Sequence, residues 1–284
     1  MGGAADGVTG GGGPAGTRLA FSTLGVPGMP VEAVARLAAG SGYQGVELRA
    51  HPEEPVHPGL GRRERAAVRG VFAEAGVAVL AVAGYARVAA ECAGAAAEAA
   101  LARELTGLVG LAADLGAPFV RVFPGGGGRP PERAEADAVR RLAAVAPRAA
   151  EQGVRVLLET HDSHRTGAAA ARIVAAVDHP AVGALWDVLH TRLGGEAPAA
   201  TRAALAGHLG YAQVKDVASA EDLTPLPLGA GVLPLAEVVA ALGPAAGGWL
   251  CWEYEKRWYP EAAELPGLLA AGRAHLERLL GAAP

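Results

Sequence analysis

Long apolar runs, cysteine and lysine are all scarce in this chain of 284 residues. No apolar run reaches the roughly 18 to 20 residues that a membrane span requires, so we expect no membrane association. Two cysteines are too few for a disulfide framework and are typical of a reducing compartment. The net charge of −4 disfavours a nucleic-acid partner, because binding phosphates requires concentrated positive charge.

The first 17 residues, MGGAADGVTGGGGPAGT, lack the basic region and the apolar stretch of a signal peptide. Their glycine content predicts a flexible tail over residues 1–17. The whole chain is 51% hydrophobic and 19% charged, which is enough apolar material for a sizeable core. We therefore expect one catalytic domain over residues 18–284, in the cytoplasm.

Short apolar segments alternate with alanine-rich helical stretches along the rest of the chain. The segments that predict strands are LAFS, GVELR, VAVLAVA, FVRVF, VRVLLET, ALWD, YAQVK and WLCWE. They recur at the spacing of a βαβ unit, roughly 30 residues or more. The pattern predicts a single-domain α/β protein, a (β/α)₈ TIM barrel. A doubly wound open sheet is the alternative, but no GxGxxG motif follows the first strand.

In a TIM barrel the active site lies at the carboxyl ends of the strands, and the second half of this chain has most of the polar residues there. The candidates after strands five to eight are Glu159, His161, Asp162, Asp187, His190, Gln213, Lys215, Asp216, Glu253 and Glu255. Carboxylate, imidazole and amide groups in a ring are typical ligands of a hard or borderline divalent cation. Since side chains alternate along a strand, Gln213 and Lys215 share one face, and Asp216 is expected to face outward.

The first half of the chain offers fewer candidates. Glu47 ends the second strand and Arg121 lies in the fourth, and both are expected at the same mouth, as substrate contacts or as an internal ion pair. Tyr85, just past the third strand, is expected to flank the substrate or to pack. The glycine runs at 125–128 and 229–231 form either a phosphate cradle of backbone N–H groups or plain loops.

Several segments resemble the sugar phosphate isomerase/epimerase family, which belongs to the xylose isomerase-like TIM barrels. They are FSTLG, GYQGVELR, LLETH, LWDVLH, QVKD and WEYEKRWYPE, and the resemblance covers nearly everything after the tail. It implies a metal held by the residues at four strand ends, Glu159, Asp187, Gln213 and Glu253. It also implies that His190, three residues after Asp187, contacts the substrate.

Gln213 departs from the family pattern, because the sugar epimerases usually have His on the seventh strand. An amide oxygen still binds a hard cation, but it is weaker than imidazole toward zinc. We therefore expect Mn²⁺, Mg²⁺ or Co²⁺ ahead of Zn²⁺ as the cofactor.

The implied reaction is proton transfer on a sugar or sugar-like substrate. Chelation of a carbonyl and its neighbouring hydroxyl by a cation acidifies the C–H bond and stabilises an enediolate. Glu159 and Glu253 are the expected pair of bases that remove and return the proton. Substrate binding is expected from His190, Lys215, Arg121, Glu47 and His161. Return of the proton to the same carbon gives an epimerase, and return to the neighbouring carbon gives an aldose–ketose isomerase.

Other functions are compatible with the same sequence. A dehydratase or lyase acting on a keto-polyol or keto acid needs the same metal and the same bases. Endonuclease IV-type nucleases share the barrel, but they have a three-zinc site with further His ligands on earlier strands. The third and fourth strand segments of this chain, VAVLAVAGYA and FVRVF, contain no histidine. A binding barrel without catalysis is the third alternative. The expected partner is a small sugar-like molecule, and a homodimer is left open.

Overall fold

The structure is a computed structural model that describes residues 16–243 and 248–283. Eight parallel strands form a closed barrel in chain order, in which the first strand pairs with both the second and the eighth. The predicted (β/α)₈ TIM barrel is confirmed, and closure of the sheet rules out the open doubly wound alternative. Residues 1–15 of the predicted tail lie outside the described residues.

The strands and helices alternate as the sequence pattern predicts. The strands are β1 (Arg18–Ser22), β2 (Gly45–Arg49), β3 (Ala78–Arg87), β4 (Phe119–Phe123), β5 (Arg155–Glu159), β6 (Val182–Asp187), β7 (Leu209–Val214) and β8 (Trp249–Trp252). The helices among the described residues are α1 (Val31–Ser41), α2 (Arg62–Glu74), α3 (Ala95–Leu115), α4 (Pro131–Glu151), α5 (Gly167–Val177), α6 (Val188–Leu193), α7 (Pro198–Ala204), α8 (Leu235–Leu242) and α9 (Leu269–Ala282). None of these helices is long and apolar enough to cross a membrane.

β3 extends beyond the segment from which it was predicted. The pattern VAVLAVA ends at Ala83, whereas the strand continues to Arg87, which pairs with Phe123 of β4. Tyr85 therefore lies within β3, and its predicted position just past the strand is wrong. The longer strand brings Tyr85 and Arg87 up to the mouth of the barrel.

The apolar core has two layers. The outer layer lies between the barrel and its helices and includes Phe72, Leu111 and Leu142, which are fully buried. The inner layer fills the barrel with Ala20, Leu80, Ala81, Leu157, Leu185, Tyr211, Trp249 and Cys251. Full burial of an aliphatic side chain contributes about 1.5–3 kcal/mol. Because several of these positions lie two residues before a polar strand end, the inner layer forms the floor on which the polar groups stand.

Asp216 faces away from the barrel and organises the loop between β7 and α8, as the parity of the strand predicts. Its Oδ2 accepts hydrogen bonds from the backbone N–H groups of Gly229 and Gly231, both at 2.9 Å. Its Oδ1 accepts from Val217 and Leu233, both at 3.1 Å. A side chain at position 231 would overlap the Val217 carbonyl and the Asp216 carboxylate, so the loop requires glycine there.

The other glycine run is held in a similar way. The backbone N–H of Gly125 donates to both carboxylate oxygens of Asp162, at 3.1 and 3.2 Å, and that of Gly126 donates to Ser163 Oγ at 2.9 Å. Side chains of the chain itself thus take up N–H groups that a phosphate cradle would need, in both runs. The alternative of plain structural loops therefore accounts for these glycines better.

Candidate active site

A cavity of about 200 Å³ opens at the carboxyl ends of the strands. Nine residues were predicted as metal ligands, bases or substrate contacts, and the five that line it are Arg121, Glu159, His161, His190 and Glu253. The other four do not line the cavity and are buried, and they are Glu47, Asp187, Gln213 and Lys215. All nine nevertheless belong to one connected set at this end of the barrel, linked by ion pairs, hydrogen bonds and close contacts between rings.

Lys215 is the central cation of this set. Its Nζ lies 2.8 Å from Asp187 Oδ2 and 2.8 Å from Glu255 Oε1, and it also contacts Glu253 Oε2. The side chain is 3% exposed. Burial alone would lower the pKa of Lys215, but the three carboxylates outweigh it and raise this pKa well above its usual value. Lys215 therefore remains charged and ties the ends of β6 and β8 together.

Gln213 joins two carboxylates through its amide group. Its Nε2 donates to Glu47 Oε1 and Oε2, at 3.1 and 3.0 Å, and to Glu253 Oε1 at 3.0 Å. The Tyr211 hydroxyl also donates to Glu47 Oε2. Glu47 was predicted as a substrate contact or as part of an internal ion pair. In the structure it is fully buried, and its carboxylate accepts hydrogen bonds from β7.

Arg121 and Glu159 form an ion pair on the opposite side of the cavity, with Arg121 Nε 3.3 Å from Glu159 Oε2. The guanidinium also lies 4.0 Å from the centre of the Phe123 ring, within the range of a cation–π contact. Both charged side chains are almost completely buried, at 3% and 2% exposed. The predicted internal ion pair of Arg121 is therefore present, and its partner is Glu159.

The buried carboxyl groups differ in pKa because their surroundings differ. Burial raises the pKa of Glu159 well above its usual value, with Arg121 opposing the shift. Burial likewise raises the pKa of Glu253 to about 7, although Lys215 opposes it. For Asp187 the balance is reversed: burial acts to raise the pKa, but the attraction of Lys215 lowers it to about 2. Asp187 is thus a permanent anion, whereas Glu253 titrates near neutral pH.

At the end of β7, Gln213 Oε1 is a buried oxygen without a hydrogen-bond donor among the described residues. Glu159 Oε2 and Asp187 Oδ2 instead lie in ion pairs, 3.3 Å from Arg121 Nε and 2.8 Å from Lys215 Nζ. A buried oxygen without a donor is costly, and carboxylate and amide oxygens are typical ligands of hard divalent cations. The predicted ligands are therefore of a suitable chemical type, and their role as one metal site stays a prediction.

A second group of possible ligands overlaps the first. Ligating atoms of Glu159, His161 and His190 lie within 4.8 Å of one another. The two imidazole rings are 3.9 Å apart between centroids. Burial lowers the pKa of His190 to about 4, so this imidazole is neutral and has a lone pair at pH 7. The sequence assigned both histidines to substrate binding, and their positions also suit metal coordination.

The short helix α6 explains the position of His190. Asp187 Oδ1 accepts hydrogen bonds from the backbone N–H groups of Leu189 and His190, at 2.9 and 3.0 Å. Asp187 is therefore the N-cap of α6, and the helix places His190 one turn beyond the strand. The three-residue spacing of Asp187 and His190 in LWDVLH thus has a structural reason, the capping of α6. This reason stands beside the chemical one, the substrate contact that the family resemblance implies.

The sequence also matches the model of a known protein family. The family model described as xylose isomerase-like TIM barrel matches residues 35–279. This chain belongs to the xylose isomerase-like TIM barrel family. No curated protein matches this xylose isomerase-like barrel by sequence.

Solved structures share the fold of this xylose isomerase-like barrel at low identity. D-psicose 3-epimerase from Clostridium cellulolyticum H10, solved with D-tagatose, has a TM-score of 0.78 and 15% identity, over 93% of this chain and 99% of that one. The IOLI protein with a bound zinc atom has a TM-score of 0.77 and 18% identity, over 93% and 98%. The probable 3-DHS dehydratase AsbF from Bacillus anthracis has a TM-score of 0.75 and 16% identity, over 91% and 98%. At these identities the likeness shows the fold alone.

Two residues at the cavity of this xylose isomerase-like barrel were not singled out from the sequence. Arg87 lines the cavity because β3 is longer than predicted. Trp258 is 51% exposed at the same mouth, and the Arg49 guanidinium lies 5.6 Å from the centre of its ring. The sequence signal for Trp258 is its position close after Glu253, within the segment WEYEKRWYPE that carries the family resemblance.

Proposed function

We propose that this protein is a divalent-metal-dependent isomerase or epimerase that acts on sugars or sugar-like polyols. The observation that carries the proposal is the pair of buried glutamates, Glu159 and Glu253, whose pKa values are both raised by burial. Glu159 ends β5, and Glu253 follows β8, which is three strands further around the barrel. Both side chains line the cavity. Carboxyl groups with raised pKa values in a cavity are typical of general acid–base catalysis.

The metal would be held by Glu159, Asp187, Gln213 and Glu253. When bound, a divalent cation supplies polarisation of a carbonyl and an adjacent hydroxyl of the substrate. Besides holding the metal, the two glutamates of this set hold and transfer protons through their carboxyl groups. One glutamate accepts the proton from the carbon next to the carbonyl, and the other delivers a proton to the same or the neighbouring carbon. A carboxyl group that titrates near pH 7 serves in either direction.

The surrounding side chains support this proton transfer. Lys215 offsets the negative charge of Asp187, Glu253 and Glu255 and keeps the first two from moving apart. Neutral His190 offers a hydrogen bond to a substrate oxygen, together with His161 beside it. Glu47 takes a positioning role in this proposal, because it holds the Gln213 amide by two hydrogen bonds.

The proposal is tested by metal analysis and by product analysis on a panel of ketoses and keto-polyols in deuterated water. We expect the protein to bind a divalent metal. We also expect it to catalyse exchange of the substrate hydrogen on the carbon next to the carbonyl with deuterium from the solvent. Glu159→Gln and Glu253→Gln should each lower turnover at least about 100-fold, since each removes a general acid–base group. Glu151→Gln, on the exposed end of α4, is the matched control and should leave turnover unchanged.

The products also separate the alternatives. A product that has lost water would identify a dehydratase in place of an isomerase. If the protein binds no divalent metal and neither glutamate variant changes any measurable activity, the proposed function is wrong.

A further inference from the structure

Arg87 is a cation at the mouth of the barrel with no partner among the described residues. It ends β3, its side chain is exposed, and it lines the cavity. It forms no side-chain hydrogen bond or ion pair within residues 16–243 and 248–283. Gly125 passes close over its aliphatic stem: a Cβ there would lie 2.5 Å from Arg87 Cβ, and the backbone φ is +68°. The neighbouring loop thus accommodates the arginine at this position.

The carboxylates around the cavity do not need Arg87. Glu159 pairs with Arg121, and both Glu253 and Glu255 pair with Lys215. The fourth, Asp162, accepts hydrogen bonds from backbone N–H groups of Gly125 and Ser163. With these carboxylates engaged, the Arg87 guanidinium is left available for an anion from outside the chain.

A second guanidinium deeper in the cavity also has a free donor. Arg121 is 3% exposed, and its Nη1 is buried without a hydrogen-bond partner among the described residues. A buried charged donor without an acceptor is costly, so this group is poised to bind an oxygen of a ligand. Arg87 at the rim and Arg121 within therefore give one wall of the cavity unused hydrogen-bond donors.

We propose that the substrate carries a carboxylate, which Arg87 binds at the mouth, so that the substrate class is a sugar acid or a keto-polyol acid. This inference rests on the proposed function and narrows its substrate. A planar carboxylate matches the two parallel donors of a guanidinium. A phosphate is less suited, because N–H groups of both glycine runs are already bound by Asp162, Ser163 and Asp216. The cavity of about 200 Å³ favours a molecule of monosaccharide size.

Calorimetric titration with matched sugars tests this inference. The probes are glucose, galactose and mannose, each as the neutral hexose, as the uronate and as the 6-phosphate, so that each series differs only at the sixth carbon. We expect at least one uronate to bind about tenfold or more tightly than its neutral hexose. Arg87→Gln should abolish that difference and leave the affinity for the neutral hexose unchanged. Arg63→Gln, an exposed arginine on α2, is the control and should keep the preference.

Three results would overturn the inference. They are the absence of any preference for a uronate, a preference that survives in Arg87→Gln, and tighter binding of the 6-phosphates than of the uronates. Titration does not depend on turnover, so the outcome is separate from that of the proposed function. A uronate preference that requires Arg87, without hydrogen exchange on any substrate, would support this inference and refute the isomerase proposal.

Discussion

Lys215 sets the charge balance at the mouth of the barrel. One ammonium group contacts the carboxylates of Asp187, Glu253 and Glu255, almost out of reach of solvent. A bound divalent cation would add positive charge to the same carboxylates. In the proposed function, the lysine and a bound cation would compete in part for Asp187 and Glu253, so their effects on stability should be coupled.

We predict that Lys215→Met lowers the free energy of unfolding by about 3–5 kcal/mol in the presence of EDTA, because it leaves buried carboxylates without a counter-charge. Added Mn²⁺ should restore more stability to this variant than it adds to the unmodified protein. Urea unfolding with EDTA or with Mn²⁺ measures both effects. Lys256→Met is the control, since the Lys256 ammonium contacts loop carbonyls and Glu264 away from the three carboxylates. An equal gain from Mn²⁺ in all three proteins would contradict the coupling.

Glu253 gives a pH-dependent prediction. Its pKa is raised from 4.5 to about 7 in the folded protein, so the folded state binds this proton more tightly than the unfolded state does. The resulting stabilisation is complete below about pH 4.5 and is lost as the pH rises through 7. Between pH 5 and 8, the unmodified protein should lose up to about 3 kcal/mol relative to Glu253→Gln. Urea titrations in EDTA at several pH values measure the difference, and a difference that does not change with pH would refute it.

The sequence predicted the orientation of these side chains but not their pairing. Strand parity places Gln213 and Lys215 inside the barrel and Asp216 outside, and this is confirmed by their contacts. Parity cannot tell that Lys215 reaches both β6 and β8, because that depends on how far neighbouring strands extend and on side-chain rotamers. The roles of individual residues as metal ligands or bases remain predictions.

At the scale of elements, the loop between β7 and α8 depends on a single side chain. Asp216 binds four backbone N–H groups spread over residues 217–233. The loop has little regular structure of its own, so these bonds define its path.

We predict that Asp216→Ala lowers the free energy of unfolding by about 3 kcal/mol or more, since it leaves partly buried N–H groups without an acceptor. Hydrogen exchange should become faster throughout residues 217–233 and remain unchanged in β2 and β3. Asp222→Ala, which removes an exposed carboxylate bonded to Thr224 N–H, is the matched control and should have little effect. Unchanged exchange in the loop of Asp216→Ala would show that other contacts hold it.

The end of β3 shows why one boundary was missed. The predicted strand stops before Gly84, and glycine usually weakens a strand. In the structure a side chain at Gly84 would overlap Leu108 of α3, so glycine is there to let the helix pack closely. That contact joins residues far apart in sequence, and no local pattern contains it.

At the scale of the whole molecule, closure of the barrel makes its strands mutually dependent. β1 pairs with β8 as well as with β2, so the sheet has no free edge. The alternation of strands and helices was readable from the sequence, because each repeat carries its own apolar period. The sequence favoured a closed barrel over an open sheet but did not decide between them. Both folds have the same local pattern, and they differ only in whether the first and last strands pair.

The predicted single domain over residues 18–284 leads to a prediction about unfolding. Because closure of the barrel links all eight strands, we expect one cooperative transition in urea, with the same midpoint by far-UV circular dichroism and by tryptophan fluorescence. The buried Trp186, Trp249 and Trp252 report on β6 and β8. Trp258→Phe removes the exposed tryptophan at the mouth and should leave the midpoint unchanged. Two separate midpoints would show that parts of the barrel unfold independently despite its closure.

The two lysines have a practical consequence for chemical labelling. Lys215 is 3% exposed and Lys256 is 11% exposed, and both ammonium groups are held by oxygen atoms. Reagents that acylate free amines should therefore modify neither lysine in the folded protein. Acylation of Lys215, read by peptide mass mapping, would then report opening of the barrel mouth, with a background far lower than in a lysine-rich protein.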